Sequence, residues 1–126
     1  YGVQDKETNI TSTPLSGEPE AFGSITSPVV FLNHYGTSGT SVKSYIIGDG
    51  VEGQIVHFVF STQVTDGTRT IKLDFTANTL LSGSGRTRYL TFDTEGQSAT
   101  LIYMGLQTNG SIAKAWRIIN TGASVS

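Results

Sequence analysis

From residue 21 onward the apolar residues of this chain come in strand-sized blocks, each cut short by a glycine-rich or Asn/Asp-Gly break. Pro28-Val29-Val30-Phe31-Leu32 ends at Asn33-His34-Tyr35-Gly36, and Val42 to Ile47 stops at Gly48-Asp49-Gly50. An amphipathic helix needs apolar residues recurring every three or four positions over a longer window, and no block is long enough to supply that. The residues between the blocks argue the same way. Serine, threonine and glycine number 14, 18 and 15, together 47 of 126 residues, and glycine and threonine are weak helix formers.

The pattern inside the blocks is that of strands. In Gln54 to Phe60, Ile55, His57 and Val59 point one way and Val56, Phe58 and Phe60 the other. Both faces are largely apolar, which predicts a central strand. Ile71, Leu73 and Phe75 alternate with Thr70, Lys72 and Asp74, predicting a strand buried on one side. Asp66-Gly67 before it predicts a hairpin, because both residues tolerate the positive φ of a type I′ turn. Ser82 to Gly85 reads as a loop, Tyr89 to Phe92 as a strand, and Asp93 to Gly96 as a turn. Ser98 to Met104 and Ala113 to Ile119 are strands on either side of a second turn signal, Asn109-Gly110, with Trp116 and Ile118 on one face. Short strands without an amphipathic helix predict an all-β fold, a small antiparallel β-sandwich or barrel-like domain over residues 21–126. No repeat of 20–50 residues predicts a solenoid.

Residues 1–20 differ in texture. They hold four acids, one lysine and two prolines among few apolar side chains, the composition of a segment that does not bury a core of its own. They read as an extended N-terminal arm that lies on a partner, with Val3, Ile10, Pro14, Leu15 and Pro19 as its contact residues. Tyr1 in place of an initiator methionine leads us to expect processing or an upstream segment.

Composition excludes several classes of function. Charged residues make up 14% and the net charge is −2, so the clustered cations of a nucleic-acid binder are missing. With no cysteine there is no disulfide framework, thiolate metal site or cysteine nucleophile. No apolar run approaches the length of a membrane-spanning helix, no stretch reads as a secretory signal, and no membrane partner is expected.

Candidate chemistry is sparse. Asp93 with Glu95 and Asp49 with Glu52 are the paired carboxylates, but both pairs sit among Gly and Thr in turns, where an acid commonly bonds nearby backbone. Neither has the apolar surroundings that raise the pKa of a glycosidase acid. His34 and His57 lie in different segments without ligand spacing, and His57 reads as a satisfied core or interface imidazole. Gly48-Asp49-Gly50-Val51-Glu52-Gly53 only faintly echoes a calcium loop. No Gly-x-Ser-x-Gly elbow is present, and Gly83-Ser84-Gly85 precedes no helix that would make it a phosphate loop. We expect no catalytic residue, no metal and no cofactor.

Binding residues are easier to nominate. Arg86 and Arg88 would share one face of a strand and suit a sulfated or sialylated glycan, or a neighbour's acidic arm; a charged strand edge that resists aggregation is the plainer reading. Tyr35, Tyr45, Tyr103 and Trp116 are the candidate stacking rings for a sugar, although a lone strand tryptophan is more often core or interface. The sequons at Asn9-Ile10-Thr11 and Asn109-Gly110-Ser111 are matches expected by chance in so hydroxyl-rich a chain.

From Gly48 onward the order of motifs resembles a known type of module. Gly-Asp-Gly-x-Glu-Gly-Gln precedes an apolar strand, Leu-Thr-Phe-Asp-Thr-Glu-Gly-Gln-Ser-Ala-Thr-Leu-Ile-Tyr comes next, and Ala-Trp-Arg-Ile-Ile closes the series. Gly50, Gly53, Gln54, Phe92, Gly96, Ser98, Leu101, Trp116 and Ile118 are the matching positions. This resembles a β-rich module of virion structural proteins in tailed phages and large aquatic double-stranded DNA viruses. The resemblance implies a capsid decoration or cement protein or an appendage subunit, on the outer capsid surface or a fibre. It would be a homotrimer whose partners are itself and other virion proteins. Residues 1–47 match no motif of that module. The alternative is a carbohydrate- or receptor-binding β-sandwich whose partner is a surface glycan.

Overall fold

The computed structural model of the chain describes residues 7–12, 20–21, 25, 27–34, 41–63, 69–75, 80–82, 85–108 and 111–126. At 7–12, 20–21, 34, 41, 62–63, 69, 82, 85, 106–108 and 111–113 it describes the backbone alone. Among these residues there is no helix, and the strands form two sheets, one of seven strands and one of five, that pack face to face. The expected all-β sandwich is what forms.

The chain reaches that sandwich by an unexpected route. β1 (Glu7–Ser12), β3 (Val29–His34) and β5 (Ile55–Gln63) lie side by side in the seven-stranded sheet, all parallel. The strands between them in sequence, β2 (Glu20–Ala21), β4 (Ser41–Ile46) and β6 (Arg69–Asp74), lie side by side in the five-stranded sheet, again parallel. Every connection in this half therefore crosses from one sheet to the other, and the first six strands wind as a coil. The hairpin expected at Asp66-Gly67 is corrected by this winding. β5 and β6 belong to different sheets, so the segment between them, which lies outside the described residues, joins the two layers. The sheets are mixed for the same reason: the coil supplies most of the parallel pairs, and the later strands supply the antiparallel ones.

The second half closes the layers. β7 (Leu80–Ser82) and β8 (Gly85–Thr87) form a hairpin at one edge of the larger sheet, with Ser82 opposite Gly85. β9 (Tyr89–Phe92) crosses to pair with β6, and β10 (Ser98–Thr108) and β11 (Ser111–Thr121) return to the larger sheet. Thr108 faces Ser111, so the two-residue connection expected at Asn109-Gly110 is present in the register. β12 (Ser124–Val125) ends as an edge of the smaller sheet. The orders are β1-β3-β5-β10-β11-β7-β8 and β12-β9-β6-β4-β2.

Alternation along each strand builds the core. Val56, Phe58 and Phe60 of β5 are fully buried, as are Ile71 and Leu73 of β6 and Leu90 and Phe92 of β9. Each such side chain contributes about 1.5–3 kcal/mol by leaving water. β5 lies between β3 and β10, the central place its two apolar faces predicted. In β11, Trp116 is 1% exposed and Ile118 packs against the core. Thr100 pairs with Asn120 but Leu101 with Ile118, so a bulge leaves Ile119 unpaired and exposed.

The turn before β10 is fixed by a side chain. Gln97 Oε1 accepts the backbone N–H groups of Asp93 (2.8 Å) and Thr94 (3.0 Å), while its amide donates to the Gly122 carbonyl (3.2 Å). Gly96 sits at φ 95°, where any residue with a Cβ is strained.

Candidate functional site

The aromatic and the arginine candidates have different fates. Trp116 and Tyr45 are buried, at 1% and 5% exposure, and so belong to the core rather than to a stacking platform. The Trp116 indole N–H donates to the Gly48 carbonyl at 2.9 Å, which satisfies the one polar atom its burial would strand. Tyr103, 4% exposed, meets Trp116 edge-on with ring centroids 5.1 Å apart. Burial, the nearby Asp49 charge and the hydrogen bond its hydroxyl donates to Asp49 all hold the Tyr103 phenol above its ordinary pKa of 10.0.

These rings explain the loop at 48–54. A Cβ on Gly50 would lie 2.7 Å from both the Trp116 ring and Gln54 Oε1, so only glycine fits there. Gln54 Oε1 accepts the Val51 N–H (2.9 Å), and its amide donates to the Ile25 carbonyl (2.7 Å). Gly53 turns the chain at φ 88°. Asp49 and Glu52 are exposed, and Glu52 pairs with Lys114 at 3.6 Å. The loop covers the core, and its carboxylates face Tyr103 and Lys114. Among the described residues no group of three or more His, Asp or Glu is placed to hold a metal.

His57 is not a core imidazole, although its ring is satisfied. It lies exposed on the outer face of β5, with Nδ1 2.9 Å from Thr100 Oγ1, because alternation gives the inner face to Val56 and Phe58. Asp93 and Glu95 are exposed in the turn before β10. Ile10 falls in β1 and pairs through its backbone with Leu32. Asn9 lies beside it opposite Phe31, and His34 pairs with Gln63. Tyr35, Val3, Pro14, Leu15 and Pro19 lie outside the described residues, as does Asn109.

Arg86 and Arg88 do not share a face. Arg86 is exposed on β8, at an edge of the larger sheet, whereas Arg88 lies where the chain crosses to β9 in the smaller one. Arg88 joins a polar cluster with Asp74, Tyr89 and Lys72. Its Nε and Nη2 donate to the two Asp74 carboxylate oxygens at 2.7 and 3.0 Å, and Asp74 is only 5% exposed. That hydrogen bonding raises the guanidinium pKa further. The Arg88 guanidinium lies 5.1 Å from the Tyr89 ring centroid, and Lys72 Nζ lies 4.3 Å from the same centroid. One tyrosine thus carries two cations.

Sequence reasoning nominated Arg88 but missed Asp74, Lys72 and Tyr89. Alternation placed Lys72 and Asp74 on one face of a strand; what it did not reveal is that β9 pairs with β6 and sets Tyr89 opposite Asp74. Lys43 was missed too. It is 3% exposed, in the core-facing row of β4, with Nζ 5.8 Å from the Tyr45 ring centroid. Its place two residues before Tyr45 was the available signal. No family model matches this chain, and neither a curated protein nor a solved structure does.

Proposed function

We propose that the protein is a virion structural subunit, a capsid decoration or cement protein or part of an appendage, which acts by assembly and not by catalysis. The observation that carries this reading is the way the polar N-terminal segment is used. Residues 7–12 and 20–21 form β1 and β2, which pair in parallel with β3 and β4 as the outermost strands of the two sheets. A segment attached through main-chain hydrogen bonds along one side makes the same bonds with a neighbouring copy, so strand exchange or strand addition between subunits needs no new chemistry. Symmetric copies on a particle then turn weak contacts into firm attachment through effective concentration. The motif resemblance over residues 48–119 supports the virion setting and a homotrimer.

Light scattering on the complete chain and on a chain lacking residues 1–20 tests this. A trimer for the complete chain, with smaller mass or lost particle attachment after truncation, is the expected result. A monomer in both forms, with no attachment to particles, overturns it.

A further inference from the structure

We propose that the outer face of the five-stranded sheet binds an anionic saccharide, a sugar chain bearing sulfate or carboxylate groups, through Lys72, Arg88 and Tyr89. The inference is independent of the assembly reading. Ile71, Leu73, Leu90 and Phe92 face the core, so the residues that alternate with them, Lys72, Asp74, Tyr89 and Thr91, face outward. Ser44 and Thr91 flank Lys72 in register on either side.

The cluster is assembled before any ligand arrives. Asp74 takes two of the guanidinium's five donors in a bidentate grip, which fixes the plane of Arg88 and leaves its other N–H groups directed away from Asp74. The Arg88 side chain remains 44% exposed. Lys72 is held over Tyr89, and among the described residues neither its ammonium nor the Tyr89 hydroxyl has a hydrogen-bond partner. Ordering these long side chains in advance removes part of the entropic cost of binding. Asp74 is taken up by Arg88, and the Ser126 main-chain oxygen accepts from the backbone N–H groups of Arg88 and Tyr89 at 3.2 Å. Lys72 is therefore the cation on the outward rows of β4, β6 and β9 with no carboxylate paired to it among the described residues, on a chain whose net charge is −2.

The chemistry of the face selects the ligand. β4, β6 and β9 are interior strands, paired on both sides, so their main-chain groups are used and a peptide cannot add to this face as a strand. What the face offers is an ammonium, a planar guanidinium, a phenol and neighbouring hydroxyls. The cations match sulfate or carboxylate oxygens, and the hydroxyls match those of a sugar. Nucleic acid fits less well, because its affinity comes from neutralising many phosphates, about 6–10 in typical cases, and this site has two cations.

The test titrates the complete chain with a heparin octasaccharide, a chemically desulfated heparin octasaccharide, a hyaluronan octasaccharide and a short single-stranded oligonucleotide. Backbone and side-chain NMR shifts serve as the readout, and thermal melting verifies that each variant folds. Binding of an anionic sugar with shifts centred on Lys72, Arg88 and Tyr89 is expected. K72Q should weaken it about tenfold or more, the loss of a charge-assisted bond; K72R should restore it, and Y89F should weaken it less than K72Q. R86Q and K114Q, on the other sheet, should leave it unchanged. Binding of heparin but not hyaluronan assigns the anion as sulfate, and binding of both admits carboxylate. No binding of either sugar, binding insensitive to K72Q, or an oligonucleotide bound as tightly as the sugar overturns the proposal.

Discussion

Gln54 and Gln97 occupy equivalent places at opposite ends of the β5–β10 pair. Each ends a turn of sequence x-Glu-Gly-Gln, and each Oε1 accepts the N–H of the residue three positions earlier, Val51 at 2.9 Å and Thr94 at 3.0 Å. Both turns pass through a glycine at positive φ, as a type II turn requires. Gly53 and Gln54 bond the backbone of Tyr103, and Gly96 and Gln97 bond that of Phe60. Segments 51–60 and 94–103 are thus related by a local two-fold axis. His57 and Thr100, 43 residues apart and hydrogen-bonded to each other, lie at its centre. Val56, Phe58 and Phe60 on one side answer to Ala99, Leu101 and Tyr103 on the other, all buried.

The two glutamines should differ in worth despite this symmetry. The Gln54 amide makes its bond in a part-buried setting, whereas that of Gln97 is exposed, so water replaces the lost partner more readily at Gln97. Gln54→Ala should cost about 2–3 kcal/mol and Gln97→Ala about 1. Gln54→Glu should rescue little, because a carboxylate cannot donate to the Ile25 carbonyl. Urea unfolding measures all three, and the double alanine variant should be additive to within about 0.5 kcal/mol.

Glycines close together in sequence should respond oppositely to alanine. At Gly50 a methyl meets the Trp116 ring and Gln54 Oε1 at 2.7 Å, and at Gly48 it meets nothing within 4 Å. Gly50→Ala should destabilise by about 1–3 kcal/mol through overpacking, and Gly48→Ala should stay within about 0.5 kcal/mol of the parent. At Gly53 and Gly96 there is room, yet the positive φ alone should cost about 1–2 kcal/mol per alanine. Thermal melting of the four variants separates steric from conformational cost.

The strands were legible because their alternation is local. Val56, Phe58 and Phe60, and Ile71 and Leu73, announce a buried face whatever they pair with. The winding was not legible, since a strand's neighbours in a coil come from another turn of chain and leave no local mark. Asp66-Gly67 shows the limit: a local hairpin signal does not make β5 and β6 partners when β6 is claimed by β4 and β9. The Glu-Gly-Gln turns were visible as turns, but their equivalence needed the β5–β10 register. The Lys72–Tyr89–Arg88 cluster required the β6–β9 pairing, and the burial of Trp116 required the Gly48 carbonyl that accepts its N–H.

The Asp74–Arg88 pair should show the asymmetry of a carboxylate buried with one exposed cation. Arg88→Met alone leaves the Asp74 side chain, 7% exposed, without its bidentate donor and should lower the melting temperature clearly. Asp74→Asn with Arg88→Met removes the charge that needed the cation and should recover part of that loss. A double variant no more stable than Arg88→Met would mean that the loss comes from the stacking of Arg88 on Tyr89 and not from the ion pair.

Tyr103 makes stability depend on alkaline pH in a definite direction. Its phenol is held above 10.0 in the folded chain by burial and by Asp49, so the folded state keeps that proton at a pH where the unfolded chain has begun to release it. The unfolded state then binds fewer protons than the folded one, and stability falls as pH rises. The Tyr103 contribution is fully present below about pH 10 and is lost as pH climbs through the folded value. Tyr103→Phe keeps the ring against Trp116 but has nothing to titrate. At neutral pH it should be less stable than the parent by about 1 kcal/mol, for the lost hydrogen bond to Asp49. Between about pH 9 and 12 the difference should shrink, because only the parent loses this contribution, while the other tyrosines and lysines titrate in both proteins. Trp116, the one tryptophan, gives a fluorescence signal beside the substituted ring for tracking unfolding at each pH. Parallel stability curves across that window would show that the Tyr103 proton is not linked to folding.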